Sequence, residues 1–176
     1  MSIHPIAIQK ARQIWFWQWN QLMNGLAPAN AKGIYKRPPS HYKDAVLPDI
    51  SSLKKRSLKQ LPTLIIGTTC PWAHRTWLLY VLRNLKGSIN LITAVPNLLG
   101  GRWELSPSWM GCHSLVSLYK KCGKEPKHRA TVPVLIDPGE SKESNPIILG
   151  NESSQLIKIL NKWPTNNQEY DLNPSN

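Results

Sequence analysis

Acidic residues are scarce in this 176-residue chain: ten Asp and Glu stand against 22 Lys and Arg, for a formal net charge of +12. That balance favours anionic partners, whether nucleic acid, an acidic membrane surface or a small carboxylate. The basic residues are scattered over connectors and lack the aromatic-basic pattern of an RNA-recognition strand, so a solvated basic face is expected and nucleic acid is not. Cysteine is sparse as well. Cys70, Cys112 and Cys122 are odd in number and no two have Cys-x-x-Cys spacing. This excludes a disulfide framework and gives no zinc or dithiol pair, so no metal is expected. No charged-then-apolar leader opens the chain, and no apolar run reaches eighteen residues. The expectation is a chain without a membrane span in a reducing, cytoplasmic setting. Phenylalanine occurs once, against eight Trp and five Tyr.

What is present centres on Leu64-Ile65-Ile66-Gly67-Thr68-Thr69-Cys70-Pro71-Trp72-Ala73-His74-Arg75. A short apolar run reads as a buried strand and the pattern after Pro71 as a helix. Proline suits the first helical position, where its missing N–H would have no partner anyway. Cys70 then stands on the open amide end of that helix, where backbone donors and the dipole favour negative charge. A thiol so placed loses its proton more easily, and the thiolate is the reactive form. A free cysteine is often just a buried, inert hydrophobe. Placement after the strand, where α/β sheets bind ligands, favours a reactive role here.

Taken in order, residues 1–60 read as an N-terminal extension. Ile8, Ala11, Trp15, Trp19, Leu22 and Leu26 recur at three- and four-residue steps, the mark of an amphipathic helix over about 8–26. A basic, Pro-containing irregular connector follows, with the Lys54-Lys55-Arg56 run taken as solvated surface. Residues 61–163 form the compact domain. Strand Thr63–Gly67, helix Pro71–Leu85 and strand Ile89–Val95 make a βαβ unit with parallel strands. Pro96–Gly111 reads as a long loop and Ser114–Cys122 as a short helix. Thr131–Asp137 reads as a strand whose internal Pro133 fits a cis bond after Val132 at the strand entrance. Ile147–Leu149 pairs with it as a hairpin. Asn151-Glu152-Ser153-Ser154 opens the last helix, and residues 164–176 form a polar tail expected to be disordered. The order is β-α-β-α-β-β-α, an α/β domain with a four-stranded mixed sheet.

This order, with a cysteine opening the first helix, Val-Pro before the third strand and Glu-Ser opening the third helix, resembles the thioredoxin-like domain of glutathione transferases. Cys70-Pro71-Trp72-Ala73-His74-Arg75 resembles more specifically the Xi class, the glutathionyl-hydroquinone reductases, and is close to the omega class. Leu85-Lys86-Gly87, Gly101-Arg102-Trp103, Thr131-Val132-Pro133-Val134-Leu135 and Asn151-Glu152-Ser153-Ser154 match in the same order. The resemblance covers about residues 60–163.

The resemblance implies glutathione as co-substrate and roles at the matching positions. Cys70 would be the catalytic thiol and Trp103 would pack on glutathione. Val132 would bind its peptide backbone through the main chain, cis-Pro133 would shape the turn, and Glu152 and Ser153 would hold the γ-glutamyl end. The residue types suit that ligand: Glu152 can accept from an α-amino group, while a helix N-terminus and a hydroxyl suit carboxylates. Alone, Glu152 and Ser153 would read as helix capping and Trp103 as a loop anchor. His74 and Arg75 raise the local positive potential and are given no direct catalytic role. Where thioredoxins carry a second cysteine this chain has Ala73, so a mixed disulfide on Cys70 must be released by an external thiol. Full transferases of this class continue with an all-helical domain. This chain is expected to hold the glutathione half-site without that second wall, its apolar surface covered by the N-terminal helix or by a separate helical partner. The function implied is a glutathione-dependent reductase acting on a glutathionyl-hydroquinone or disulfide substrate. The alternative is a non-catalytic, truncated binding module acting through a partner.

Overall fold

In a computed structural model of the protein, the described residues are 4–26, 29–35, 42, 50–53, 56–97, 99, 101–123, 129–141, 144–164 and 171–172. They fall into two compact units, Met1–Pro39 and Ser40–Asn176. In the first, helix α1 (Pro5–Leu26) begins three residues before the periodicity suggests. Trp15 and Trp19, one turn apart, stack at 5.7 Å with an 11° interplanar angle. Ile8, Trp15, Trp19 and Leu22 are exposed. No helix among the described residues is long and apolar enough to cross a membrane. After α1, Asn30 Oδ1 accepts from the amides of Lys32 and Ile34 and shapes a short turn.

The second unit is built on one sheet with strands β1 (Thr63–Gly67), β2 (Asn90–Asn97), β3 (Arg102–Trp109), β4 (Cys112–Ser114), β5 (Val134–Asp137) and β6 (Ile147–Gly150). The order across the sheet is β4-β3-β2-β1-β5-β6. Strands β1 and β2 are parallel, with Thr63 opposite Asn90 and Gly67 opposite Ala94. All other neighbours are antiparallel. The sheet has six strands, which corrects the four expected from sequence. The two additional strands, β3 and β4, occupy the segment read as the Pro96–Gly111 loop and its continuation. Pro107 argued against a strand because it cannot donate to a ladder. The ladder avoids that demand: β2 pairs only with Arg102–Leu105, and the β3–β4 register shifts between Glu104 and Trp109, across the cis Ser106–Pro107 bond.

The helices of this unit are α2 (Ile50–Leu53), α3 (Pro71–Leu82), α4 (Leu115–Lys121) and α5 (Ser153–Asn161). Helix α3 ends three residues before Leu85 because Asn84 turns into the left-handed region at φ 49. Ser114 caps α4 by accepting from the Ser117 amide at 3.2 Å. Strands β1 and β5 are buried along their whole length, and the core is completed by Ala73 and Tyr80 of α3, Leu115 and Leu118 of α4, and Leu156 and Leu160 of α5. Helices α3 and α5 pack together. The buried Arg83 guanidinium ties their ends by donating to the Trp163 carbonyl at 3.2 Å.

Arg56 departs from the solvated surface expected of the basic run. Its side chain is 9% exposed and its Nη1 lies 2.6 Å from Asp137 Oδ1, at the end of β5. The same carboxylate oxygen accepts the Gly139 amide at 2.9 Å. Lys54, Lys55 and the stretch 124–128 lie outside the described residues, as does most of the 164–176 tail. Two tail residues are described: Asp171 accepts from the Asn161 side chain at 2.6 Å and the Leu172 amide donates to it at 3.0 Å.

Candidate functional site

Cys70 is the N-cap of α3, with Pro71 at the first helical position. Its carbonyl accepts the amides of Ala73 at 3.0 Å and His74 at 3.1 Å. The thiol is partly exposed and faces the chain that enters β5: Sγ donates to the Val132 carbonyl at 3.6 Å. The Val132–Pro133 bond is cis, and Val132 is 7% exposed. Strands β1 and β5 are sheet neighbours, so each brings one of these two residues to the same end of the sheet.

Trp103 reaches this end from β3, two strands from β1 in the sheet. Its ring covers the face of Gly67, the last residue of β1, and the Val132 side chain lies beside the same position. Glycine is required there by close approach, since any Cβ would overlap the indole. Cys70, Val132 and Trp103 thus surround the end of β1, although they come from three separate stretches of sequence.

Glu152 is the N-cap of α5, and its carbonyl accepts the amides of Gln155 and Leu156, both at 2.9 Å. Ser153 follows as the first helical residue and is 2% exposed. Two contacts tie this helix start to the rest of the site. Asn151 Nδ2 donates to Tyr119 Oη at 3.2 Å and to Thr131 Oγ1 at 3.4 Å. Tyr119 Oη in turn donates to the Thr131 carbonyl at 3.1 Å, so α4, the entrance to β5 and the start of α5 share one network. The second contact comes from Arg75 of α3, whose Nη2 donates to Ser153 Oγ at 2.5 Å. The spacing of Cys70 and Arg75 put both at the start of α3, but nothing local indicated that Arg75 would meet a residue 78 positions away.

Burial raises the pKa of the Tyr119 hydroxyl, against hydrogen bonds from Asn151 and Thr131 that lower it. Tyr42 packs edge-on against Tyr119, ring centroids 6.2 Å apart. Its pKa is pushed up to about 12, first by burial and then by Tyr119 and Cys122. These phenols stay neutral across the range in which a thiol reacts, which suits donor and packing roles and no acid–base role.

The arrangement offers a partly exposed thiol, the backbone segment that leads into cis-Pro133, an aromatic wall, and a helix start with a carboxylate and a hydroxyl. No family model matches the chain. Among characterised proteins it is 31% identical over 106 residues to the glutathionyl-hydroquinone reductase YqjG of Escherichia coli, a match spanning 56% of this chain and 31% of that one. Over 105 residues it is 31% identical to the glutathionyl-hydroquinone reductase PcpF of Sphingobium chlorophenolicum, spanning 56% and 32%. Its homologues are Xi-class glutathione transferases and glutathionyl-hydroquinone reductases. Among solved structures, the Xi glutathione transferase ECM4 of Saccharomyces cerevisiae superposes with a TM-score of 0.55 at 25% identity, covering 73% of this chain and 44% of that one. The chain spans about a third of the length of the two reductases. The mixed α/β arrangement is consistent with the thioredoxin-like half of a glutathione transferase.

Proposed function

We propose that residues 61–163 are a glutathione-binding domain and that the chain is a glutathione-dependent reductase of the glutathionyl-hydroquinone type, with Cys70 as nucleophile. The observation that carries this reading is the Cys70 thiol on the N-terminus of α3, 3.6 Å from the Val132 carbonyl, with Trp103 laid over Gly67 beside it. Trp103 packs against the ligand, the Val132 main chain pairs with its peptide groups, and Glu152 and Ser153 take its γ-glutamyl end. The segment before Pro133 lies outside the β5 ladder, which begins at Val134, and so suits that pairing.

In the first step the Cys70 thiolate attacks the glutathione sulfur of the substrate. An S–S bond forms, the carbon–sulfur bond breaks, and its electron pair stays on the ring carbon, which takes a proton to give the hydroquinone. In the second, the thiolate of a second glutathione attacks the bound glutathione sulfur. Oxidised glutathione leaves and Cys70 is again a thiolate. One substrate and one reduced glutathione are consumed, and one hydroquinone and one disulfide are made. With alanine at position 73 the external thiol has no internal competitor nearby in sequence.

Leu78, Val81 and Leu82 leave an exposed apolar face on α3. Such a face supports a helical partner or second domain as the other wall of the substrate site. Intact-mass spectrometry after incubation with oxidised glutathione tests the central claim. A single adduct mapped to Cys70, removed by reduced glutathione, is expected. No adduct, with Cys70 also inert to small alkylating agents, would sink the enzymatic reading and leave a non-catalytic binding module.

A further inference from the structure

The reaction above leaves Trp72 and Arg75 of the Cys70 motif, like His74, without a task. Three residues apart on α3, Trp72 and Arg75 share a face of the helix. The Arg75 guanidinium carbon lies 5.3 Å from the Trp72 ring centroid, a cation–π contact that holds the cation in place. Its Nη2 then donates to Ser153 Oγ at 2.5 Å. A guanidinium has only donors, so the serine oxygen must accept in this bond, and its own proton is left for another acceptor. Ser153 is also the first residue of α5, beside amides that the helix leaves unpaired. A carboxylate arriving there meets a hydroxyl already turned into a donor, helix amides and a nearby positive charge, three features that favour the same group.

We infer that Arg75 is a positioning residue that selects ligands carrying a carboxylate at the γ-glutamyl end, acting through the Ser153 hydroxyl, with Trp72 fixing the guanidinium. This inference rests on the glutathione reading and deepens it by naming what discriminates the ligand's α-carboxylate. It separates the motif into two functions: Cys70 supplies the reacting sulfur, while Trp72 and Arg75 reach from the same helix to the far end of the ligand.

The test follows the rate of mixed-disulfide formation on Cys70 of the full chain, by intact mass, with two reagents. One is oxidised glutathione; the other is bis(2-hydroxyethyl) disulfide, which carries no carboxylate. The chemistry is the same in both: the Cys70 thiolate bonds to one sulfur, the reagent's S–S bond breaks, and the departing thiolate takes up a proton. Arg75→Ala is expected to slow oxidised glutathione by about ten- to a hundredfold, the size of one charged hydrogen bond, and to leave the hydroxyethyl reagent unchanged. Arg75→Lys, which keeps charge without the planar fork, is expected to recover part of the loss. In a Ser153→Ala background the Arg75→Ala loss should shrink, because both changes remove the same bond. Equal slowing of both reagents, no slowing of either, or fully additive losses with Ser153→Ala would overturn the inference. A wild-type chain that reacts with both reagents at the same rate would instead overturn the glutathione reading beneath it.

Discussion

The end of the Trp103 indole lies where a side chain on Gly67 would have to go. A Cβ there would stand 2.5 Å from two ring carbons of Trp103 and 3.1 Å from Cγ2 of Val132. The pair couples the last residue of a buried central strand to the aromatic wall of the proposed site. Gly67→Ala is expected to push the ring aside at a cost of about 1–3 kcal/mol, the usual size of overpacking. Adduct formation with oxidised glutathione should slow in parallel. Adding Trp103→Leu should return the stability, measured by urea unfolding, without returning the rate.

Replacing the thiol isolates the chemistry. Cys70→Ser is expected to abolish both the glutathione adduct and any release of hydroquinone from a glutathionyl-hydroquinone. The urea midpoint should move little, since the thiol is partly exposed and its one neighbouring acceptor, the Val132 carbonyl, can take a serine proton as well. Turnover equal to wild type would remove Cys70 from the mechanism.

The Arg56–Asp137 pair is a matter of stability. Both side chains are about nine-tenths buried and their charged atoms are 2.6 Å apart. Arg56→Met strands the carboxylate and is expected to cost about 3–5 kcal/mol in denaturant unfolding. Changing both partners to apolar residues should cost clearly less, because no unpaired charge remains. A single-site loss below that of the double change would contradict the pairing.

Asn151 joins Tyr119 and Thr131, and so fixes the start of α5 against the entrance to β5. Asn151→Ala is expected to lose about 1–3 kcal/mol from buried partners left unmatched. It should also weaken capture of oxidised glutathione more than capture of bis(2-hydroxyethyl) disulfide, because only the former spans both segments.

Alkaline pH tests the buried phenols. The folded state holds the Tyr42 proton up to about 12, against an ordinary value of 10.0. Between those values the unfolded chain has released a proton that the folded chain keeps. The stabilisation is therefore complete below pH 10 and is lost as pH rises through that window. Tyr42→Phe is expected to flatten the decline in unfolding free energy over the same range. An unchanged slope would place Tyr42 in water.

Local signals carried the first half of the site. A five-residue apolar strand and a proline at a helix start need only neighbours along the chain to be read, and β1 and the start of α3 follow from them. The strands β3 and β4 were missed because Pro107, Gly100, Gly101 and Gly111 are loop residues by every local rule, and only the broken ladder reconciles them with a sheet. Arg56 looked like solvated charge because its partner is 81 positions away. Arg75 was seen within its motif but not matched to Ser153, for the same reason. Side chains with distant partners have no local period to betray them.

Strand β1 lies between β2, its neighbour along the chain, and β5, which joins it with Thr63 opposite Ile136. The two pairings differ in the length of chain that each closes. The β1-α3-β2 segment closes a short loop, while docking β5 closes a long one and comes at a greater entropic cost. During synthesis from the N-terminus, the cysteine emerges more than sixty residues ahead of the Val132 carbonyl that it faces in the finished fold. The nascent chain thus carries an unflanked thiol for several seconds at ordinary elongation rates, and its redox fate in that interval belongs to the surrounding thiol pool, not to the site.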